Sequence, residues 1–239
     1  MTMTRTLGII GSGMIGGTVA RLAADAGLDV VLSNSRGPQT LTDLVTDLGP
    51  RARAASVTET ARTADLIVAA VPLSAIGQLP ADALAGRTVV DATNYYAQRD
   101  GRIAALDTGD LTSSAYVQQR LEASRVVKAL NNVFFRHLLD LARPAGAPDR
   151  SALPVAADDP GAKSEVIALL DTLGYDAVDL GTLADSRPVQ PGSALQALPY
   201  MPPLPEGLGE QEIQQWIFQA PAVPAPAHRI RELLATAAP

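Results

Sequence analysis

The chain has 239 residues, 47% of them hydrophobic and 18% charged, with a formal net charge of −6. This length and composition predict one main domain with a well-buried core and a smaller appendage. The negative charge disfavours nucleic acid and anionic membranes as partners. The absence of cysteine excludes disulfides and thiolate chemistry, and His137 and His228 are too far apart in sequence to indicate a metal site. No stretch is apolar over the ~18 residues of a membrane span, and the N-terminus has no signal-peptide pattern. We therefore expect a cytoplasmic protein without a metal.

The first motif is a glycine-rich turn between a predicted strand and a predicted helix. An apolar run at residues 7–10 leads into Gly11–Gly16, which reads GSGMIG, and an alanine-rich helix follows to about Ala26. In dinucleotide-binding folds the first glycine makes the tight turn, the second lets the backbone approach a pyrophosphate, and the third lets the helix pack on the strand. The diphosphate then lies at the free N–H groups of the helix N-terminus. The motif predicts a dinucleotide site.

The end of the second predicted strand, Asp29–Leu32, decides which dinucleotide binds. NAD-specific folds usually place a carboxylate there, about 20 residues after the glycines. This chain has Ser33–Arg36, reading SNSR. Two hydroxyls, an amide and a guanidinium suit the 2′-phosphate of NADP(H), to which Arg36 offers a planar fork of donors. The same residues also suit an ordinary polar turn, but an Arg in place of the acid favours NADP.

The rest of the chain alternates between helical and strand patterns. The predicted elements are a helix at 38–48, a strand at 53–55, a helix at 57–62, strands at 65–71 and 86–91, a helix at 115–121, a strand at 125–130, a helix at 133–141, a strand at 153–157, a helix at 163–173, a strand at 176–180 and a last helix at 227–235. This order predicts an α/β fold, namely a doubly wound, Rossmann-type parallel sheet with a short C-terminal α/β extension and a proline-rich tail.

The predicted organisation has three parts. Residues 1–130 would form the nucleotide-binding domain, 131–187 an α/β extension that completes the acceptor site, and 188–239 the proline-rich tail with its terminal helix. The tail between 188 and 226 is interpreted as an irregular surface loop, with a lid over the site or an arm across a dimer interface as alternatives.

Polar or turn-forming residues follow three predicted strands, at the edge where ligands bind in this fold. They are Ala70, Val71 and Pro72 after the fourth strand, Ala92, Thr93 and Asn94 after the fifth, and Lys128, Ala129, Asn131 and Asn132 at the end of the sixth. Each could contact cofactor or substrate; the Asn and Thr residues could instead simply begin a turn, and Lys128 could simply be solvated. His137 could face the pocket or lie on the surface. Because no nucleophile–base pair or carboxylate pair is evident, the pattern favours hydride transfer between two redox rings, with no catalytic side chain.

Six segments occur in an order that resembles a known family. They are Gly11–Gly16, Ser33–Pro38, Val71–Pro72, Asp91–Asn94, Val127–Asn131 and Asp179–Arg187. Together they resemble the NADP oxidoreductases that use the deazaflavin coenzyme F420, whose Rossmann domain is also similar to the reductase domain of STEAP metalloreductases. The resemblance covers about residues 5–190 and does not include the proline-rich tail.

The resemblance implies hydride transfer between NADP(H) and coenzyme F420, a small-molecule acceptor. It also implies that Asn131, Phe135 and Arg187 border the acceptor site and that Val71, Ile76 and Ala92 line the path of the cofactor. With the glycines and strand ends, the expected cofactor-binding residues are Gly11, Ser12, Gly13, Met14, Ile15, Gly16, Ser33, Asn34, Ser35, Arg36, Ala70, Val71, Pro72, Ile76, Ala92, Thr93, Asn94, Lys128, Ala129 and Asn131. We also expect a homodimer. A reductase of a flavin, quinone or ferric acceptor and a non-catalytic NADP-binding redox sensor remain as alternatives.

Overall fold

The computed structural model describes residues 6–207 and 209–237, and eight strands in this part of the chain form one sheet. The strands are β1 (Thr6–Ile10), β2 (Asp29–Ser33), β3 (Ala52–Ala54), β4 (Leu66–Ala69), β5 (Thr88–Asp91), β6 (Arg125–Lys128), β7 (Ala152–Ala157) and β8 (Asp176–Gly181). Their order across the sheet is β3-β2-β1-β4-β5-β6-β7-β8. All neighbours are parallel except β6 and β7, which are antiparallel.

Helices connect the strands and cover both faces of the sheet. They are α1 (Met14–Asp25), α2 (Thr42–Leu48), α3 (Val57–Thr63), α4 (Ala81–Leu84), α5 (Ala97–Asp100), α6 (Ala104–Asp107), α7 (Ser113–Arg120), α8 (Phe135–Asp140), α9 (Pro160–Thr172), α10 (Glu210–Gln219) and α11 (Ala227–Ala237). Along the central strands, successive side chains alternate between two buried hydrophobic clusters, one on each face of the sheet. Helices α1, α8 and α9 contribute to one cluster, and α3, α4 and α7 contribute to the other. This double covering confirms the predicted Rossmann-type fold.

The antiparallel pairing of β6 and β7 differs from the parallel sheet that the sequence predicts. After β6 the chain continues into α8, which packs against α1, and β7 then returns antiparallel to β6. Only Val127 and Lys128 pair with β7, through Ala157 and Ala156, so the first four residues of β7 extend beyond the end of β6. The extension therefore continues the sheet and also projects past the edge formed by the carboxyl ends of β1–β6, called the ligand edge below.

Several predicted helices have different bounds in the structure, and four helices, α4, α5, α6 and α10, were not predicted. The helix predicted at 38–48 begins as a 3-10 turn, Pro38–Leu41, the one at 133–141 is the shorter α8, and the one at 163–173 is α9, which starts at Pro160. The tail contains α10, a ten-residue segment without proline between two proline-rich stretches. None of the helices in the described ranges is long and apolar enough to cross a membrane.

Candidate cofactor-binding site

In the turn between β1 and α1, glycine is suited to each of its three positions for a different structural reason. Gly11 has a φ of +103°, and a Cβ there would lie 2.2 Å from the Ala70 carbonyl oxygen. A Cβ on Gly16 would lie 1.8 Å from the Gly11 carbonyl oxygen, so only glycine lets α1 pack this closely. A Cβ on Gly13 would meet no atom within 4 Å. The open space at Gly13 is what a backbone that receives a phosphate requires.

The N-terminus of α1 has no side chain that caps it. Its N-cap is Gly13, and its first turn contains no acidic residue. By contrast, Ser56, Thr112 and Asp159 accept hydrogen bonds from backbone N–H groups of α3, α7 and α9. The free N–H groups of α1, at the positive end of the helix dipole, are therefore available to an anion.

The tip of β2 is organised by Asn34 and presents Arg36. The Asn34 amide donates to Ser12 Oγ (3.2 Å) and Thr40 Oγ1 (2.9 Å), and its carbonyl accepts from the Arg36 backbone N–H (3.0 Å). Asn34 thereby ties the tip to the glycine-rich turn. Ser35 and Arg36 are exposed, and the Arg36 guanidinium forms no ion pair or hydrogen bond with any residue that the structure describes.

Ser33, the remaining residue of the predicted phosphate cup, faces the interior of the protein. Its side chain is fully buried and its Oγ lies 3.3 Å from the Ile9 carbonyl oxygen, to which it donates. Ser33 ends β2, and alternation along the strand directs its side chain into the body. The hydroxyl of Ser33 therefore supports the strand, whereas Ser35 and Arg36 are the groups open to a ligand.

A cleft of about 420 Å³ runs along the ligand edge from the tip of β2 to the end of β4. It is lined by Ile10, Gly11, Gly13, Asn34, Ser35, Val57, Thr58, Ala70, Val71, Pro72, Ala75, Gln78, Leu79 and Pro80. Sequence reasoning missed Val57 and Thr58, although they begin the helix after β3 and that strand also ends at this edge. It missed Ala75 and the 78–80 segment because no motif marks them. Ile76, expected along the cofactor path, is buried in the core.

The ends of β5 and β6 are joined by a buried polar cluster, not by groups open to a ligand. Lys128 Nζ lies 3.2 Å from Asp91 Oδ2 and 2.5 Å from the Thr93 carbonyl oxygen, and both charged side chains are fully buried. Burial lowers the pKa of Lys128, and the opposite charge of Asp91 works against this shift. Asp91 also accepts from Ser114 Oγ at 2.8 Å. Lys128 thus fixes the turn after β5, and its ammonium group has no open side.

Asn94 and Asn131 are hydrogen-bonded to each other, and Asn131 is also hydrogen-bonded to the tail. The Asn94 amide donates to the Asn131 carbonyl oxygen (2.8 Å), while the Asn131 amide donates to Asn94 Oδ1 (3.0 Å) and to the Val189 carbonyl oxygen (2.7 Å). The backbone just before this contact is left-handed, with a φ of +64° at Leu130. Asn131 therefore anchors the tail in this structure, while Asn94 remains half-exposed at the ligand edge.

The other expected residues lie in different surroundings. Met14 and Ile15 sit on the first turn of α1 and are at least partly exposed, whereas Ala92, Thr93 and Ala129 are buried. Phe135 is half-buried beside Phe134, and the exposed Arg187 donates to the Gly109 carbonyl oxygen. His137 neither faces a pocket nor lies on the surface: it is buried, with Nε2 2.9 Å from the Ala220 carbonyl oxygen.

Comparisons with known proteins bear on the family and the fold of the chain. Residues 6–95 match the family described as NADP oxidoreductase, coenzyme F420-dependent. No curated protein sequence matches the chain. A hypothetical protein from Sinorhizobium meliloti, known from a crystal structure, is 30% identical in sequence to this chain. The two structures superpose with a TM-score of 0.71, and the match covers 81% of this chain and 94% of that chain. A protein of Arthrobacter sp. FB24, provisionally named an F420-dependent NADP reductase, is 27% identical with a TM-score of 0.64, over 77% and 87%.

A more distant solved structure shares only the fold. The reductive aminase of Aspergillus terreus, solved with NADPH and ethyl levulinate, is 17% identical with a TM-score of 0.54, over 77% of this chain and 57% of that chain. The matched residues 6–95 include the glycine turn, the tip of β2 and the whole cleft described above. Over residues 6–95, the chain belongs to the family of NADP oxidoreductases described as coenzyme F420-dependent.

Proposed function

We propose that the protein transfers a hydride between NADP(H) and a planar redox coenzyme, with the deazaflavin coenzyme F420 as the first candidate. The observation that carries this proposal is the cleft at the ligand edge, where Gly13 leaves open space at an uncapped helix. Arg36, the residue after Ser35 of the cleft lining, has a guanidinium without a partner among the described residues. The family description and the provisional name of the Arthrobacter protein support F420 as acceptor.

The residues of the cleft fit the parts of an NADP molecule. The N–H groups of α1 and the backbone at Gly13 suit the diphosphate, and the exposed Ser35 and Arg36 suit the 2′-phosphate. The apolar groups of Val57, Val71 and Pro72 give the cleft a surface for the adenosine half. When bound, NADPH supplies the hydride, while the protein holds the cofactor and sets the polarity around it.

The groups near the ends of β5 and β6 suit a reaction that needs no proton from a side chain. Lys128 and Asp91 are buried and paired with each other, and His137 is bonded to the tail. Among the polar side chains expected at the ends of β5 and β6, the one that stays half-exposed is the neutral amide of Asn94. Neutral amides and apolar walls orient a ring and exclude water, which is the task left to a protein whose redox chemistry belongs to its coenzymes.

A screen of NADPH oxidation by the purified chain tests the proposal. The decrease in reduced-nicotinamide absorbance is followed with coenzyme F420, FMN, FAD, quinones and ferric chelates, each with NADPH and with NADH. We expect the highest kcat/KM with F420 and NADPH. Tight NADPH binding in calorimetry without oxidation by any of these acceptors would reject the enzymatic proposal and favour the redox sensor.

A further inference from the structure

We propose that Arg99 binds an anionic group of the acceptor, a phosphate or a carboxylate, and thereby selects charged acceptors over neutral ones. This inference rests on the proposed function and adds a chemical feature of the substrate. Arg99 lies in α5, in the connection that follows β5, and belongs to neither the glycine motif nor the strand-end motifs.

Arg99 is held so that one side of its guanidinium remains available. Nη2 donates to the Asn94 carbonyl oxygen (2.6 Å) and to Asp100 Oδ2 (2.8 Å), and Nε donates to Asp100 Oδ1 (3.1 Å). The guanidinium carbon lies 5.0 Å from the centre of the Tyr96 ring. Nη1 has no partner among the described residues, and the side chain is 44% exposed. A fixed guanidinium loses little conformational entropy when it binds, which favours affinity for an anion.

Asp100 holds the guanidinium of Arg99 in place. Its carboxylate is fully buried and also accepts from the Tyr96 N–H (3.0 Å) and from the Ser74 N–H (3.2 Å) and Oγ (3.1 Å). Burial raises the carboxyl pKa, but the hydrogen bonds from Arg99, Tyr96 and Ser74 outweigh it and hold the pKa of Asp100 at about 2. Asp100 is therefore ionised at every pH at which the enzyme would be assayed.

The position of this assembly connects it to the candidate site. Asn94, whose carbonyl oxygen receives Arg99 Nη2, is the half-exposed amide at the end of β5. Ser74, bonded to Asp100, lies two residues after Pro72 of the cleft. Arg99 thus stands where the loops after β4 and β5 meet at the ligand edge, next to the expected position of the acceptor.

A local cation favours the binding of an anionic acceptor to this molecule. The net charge of −6 disfavours anions in general, and a cation within a few ångströms of the anionic group offsets this locally. Around the connection after β5, Lys128 is buried, Arg102 pairs with Asp107 and Arg187 donates to Gly109. Among these exposed arginines, Arg99 is the one that three hydrogen bonds hold in place while Nη1 stays unbonded to any described residue; Arg102 and Arg187 are each held by one.

The test compares acceptors that differ in their anionic side chain. FMN is compared with riboflavin, and coenzyme F420 with the same deazaflavin lacking its phosphate-bearing side chain, using the full-length chain and NADPH. We expect Arg99→Ala to raise the KM of the charged acceptor about tenfold or more, while the KM of the neutral partner and both kcat values stay within twofold. Arg99→Lys should restore part of the preference, and high salt should reduce it in the unmodified protein. The control is Arg102→Ala, since Arg102 is 86% exposed and paired with Asp107.

Each outcome decides a different question. An equal rise in KM for charged and neutral acceptors in Arg99→Ala, with no recovery in Arg99→Lys, would show that Arg99 only holds the loops together and would overturn the inference. If Arg99→Ala does not fold, a charged-to-neutral KM ratio in the unmodified protein that does not change with salt would overturn it equally. NADPH oxidation by none of the four acceptors would instead overturn the proposed function, and the inference with it.

Discussion

We expect the guanidinium of Arg36, the residue after Ser35 of the cleft lining, to bind the 2′-phosphate. Because charge-assisted hydrogen bonds contribute about 1.5–3 kcal/mol, Arg36→Ala should weaken NADPH binding roughly ten- to a hundredfold. NADH lacks the phosphate, so its affinity should hardly change. Calorimetric titrations with both cofactors measure the difference. Arg51→Ala is the control, because Arg51 is also an exposed arginine next to β2 but pairs with Asp29 at the opposite end of that strand. Equal losses for NADPH and NADH would mean that Arg36 supports the fold and not the phosphate.

Gly13 and Gly16 belong to one motif, but replacing them should have opposite consequences. Gly13→Val should abolish NADPH binding, because the new side chain would occupy the open space where a pyrophosphate would lie. It should lower Tm only slightly, because its Cβ would meet no atom within 4 Å and valine is only a poorer N-cap than glycine. Gly16→Val should lower Tm strongly, because its Cβ would overlap the Gly11 carbonyl oxygen. Thermal unfolding and cofactor titration separate the two effects. NADPH binding retained by Gly13→Val would contradict the assignment of the phosphate position.

At the residue level, the sequence predicted what local geometry determines. The roles of Gly11, Gly13 and Gly16 follow from a turn whose shape is encoded within six residues, and the structure gives each a matching contact or space. Which way the side chains of Ser33 and Lys128 face could not be predicted in this way. Both are strand residues, and whether such a side chain faces a ligand or the core depends on alternation and on neighbouring strands.

At the scale of elements, the Lys128–Asp91 pair joins the ends of β5 and β6. Lys128→Met should destabilise the protein by about 3–5 kcal/mol, because it leaves a buried carboxylate without its cation and the Thr93 carbonyl without a donor. Lys163→Met is the matched control: Lys163 also donates to a carboxylate and a backbone carbonyl, but its partner Asp179 is exposed. That change should cost no more than about 1 kcal/mol. Urea unfolding measures both, and equal costs would contradict a structural role for the buried pair.

The elements that the sequence did not predict are determined by tertiary contacts. The direction of β7 depends on α8 packing against α1, which no local pattern encodes. The helix α10 lies between proline-rich stretches and was hidden by the composition of the segment as a whole. Its carboxyl end is bound from α8, since Arg136 Nη1 donates to the Phe218 carbonyl oxygen (2.9 Å) and His137 contacts Ala220.

At the scale of the whole molecule, buried hydrogen bonds attach the tail to the segment after β6 and to β7. Asn131 donates to the Val189 carbonyl oxygen, and Asn132 donates to the Leu195 carbonyl oxygen at 3.0 Å. Tyr200, itself fully buried, donates to the Ala152 carbonyl oxygen at 2.8 Å. A segment expected as a surface loop is thus attached to β6 and β7 by buried hydrogen bonds, which individually contribute about 1 kcal/mol and together fix its path.

His137 tests whether this attachment is separate from the chemistry. The Ala220 carbonyl oxygen can only accept, so Nε2 carries the proton in this contact, and Nδ1 has no partner among the described residues. His137→Ala removes the hydrogen bond and leaves a cavity, and we expect a loss of stability on the order of 2 kcal/mol. Amide hydrogen exchange should rise chiefly in 210–225. Turnover should stay within a few-fold, because a hydride that passes between two rings needs no proton from this imidazole.

Leu139→Ala is the control for this prediction, since Leu139 lies on the same helix and is 41% exposed. It should change neither hydrogen exchange in the tail nor turnover. A thousandfold loss of turnover in His137→Ala, with hydrogen exchange in 210–225 unchanged, would mean that the imidazole gives a proton to the substrate. A carbonyl or imine would then replace the planar coenzyme as the acceptor, because those groups gain a proton as they gain the hydride.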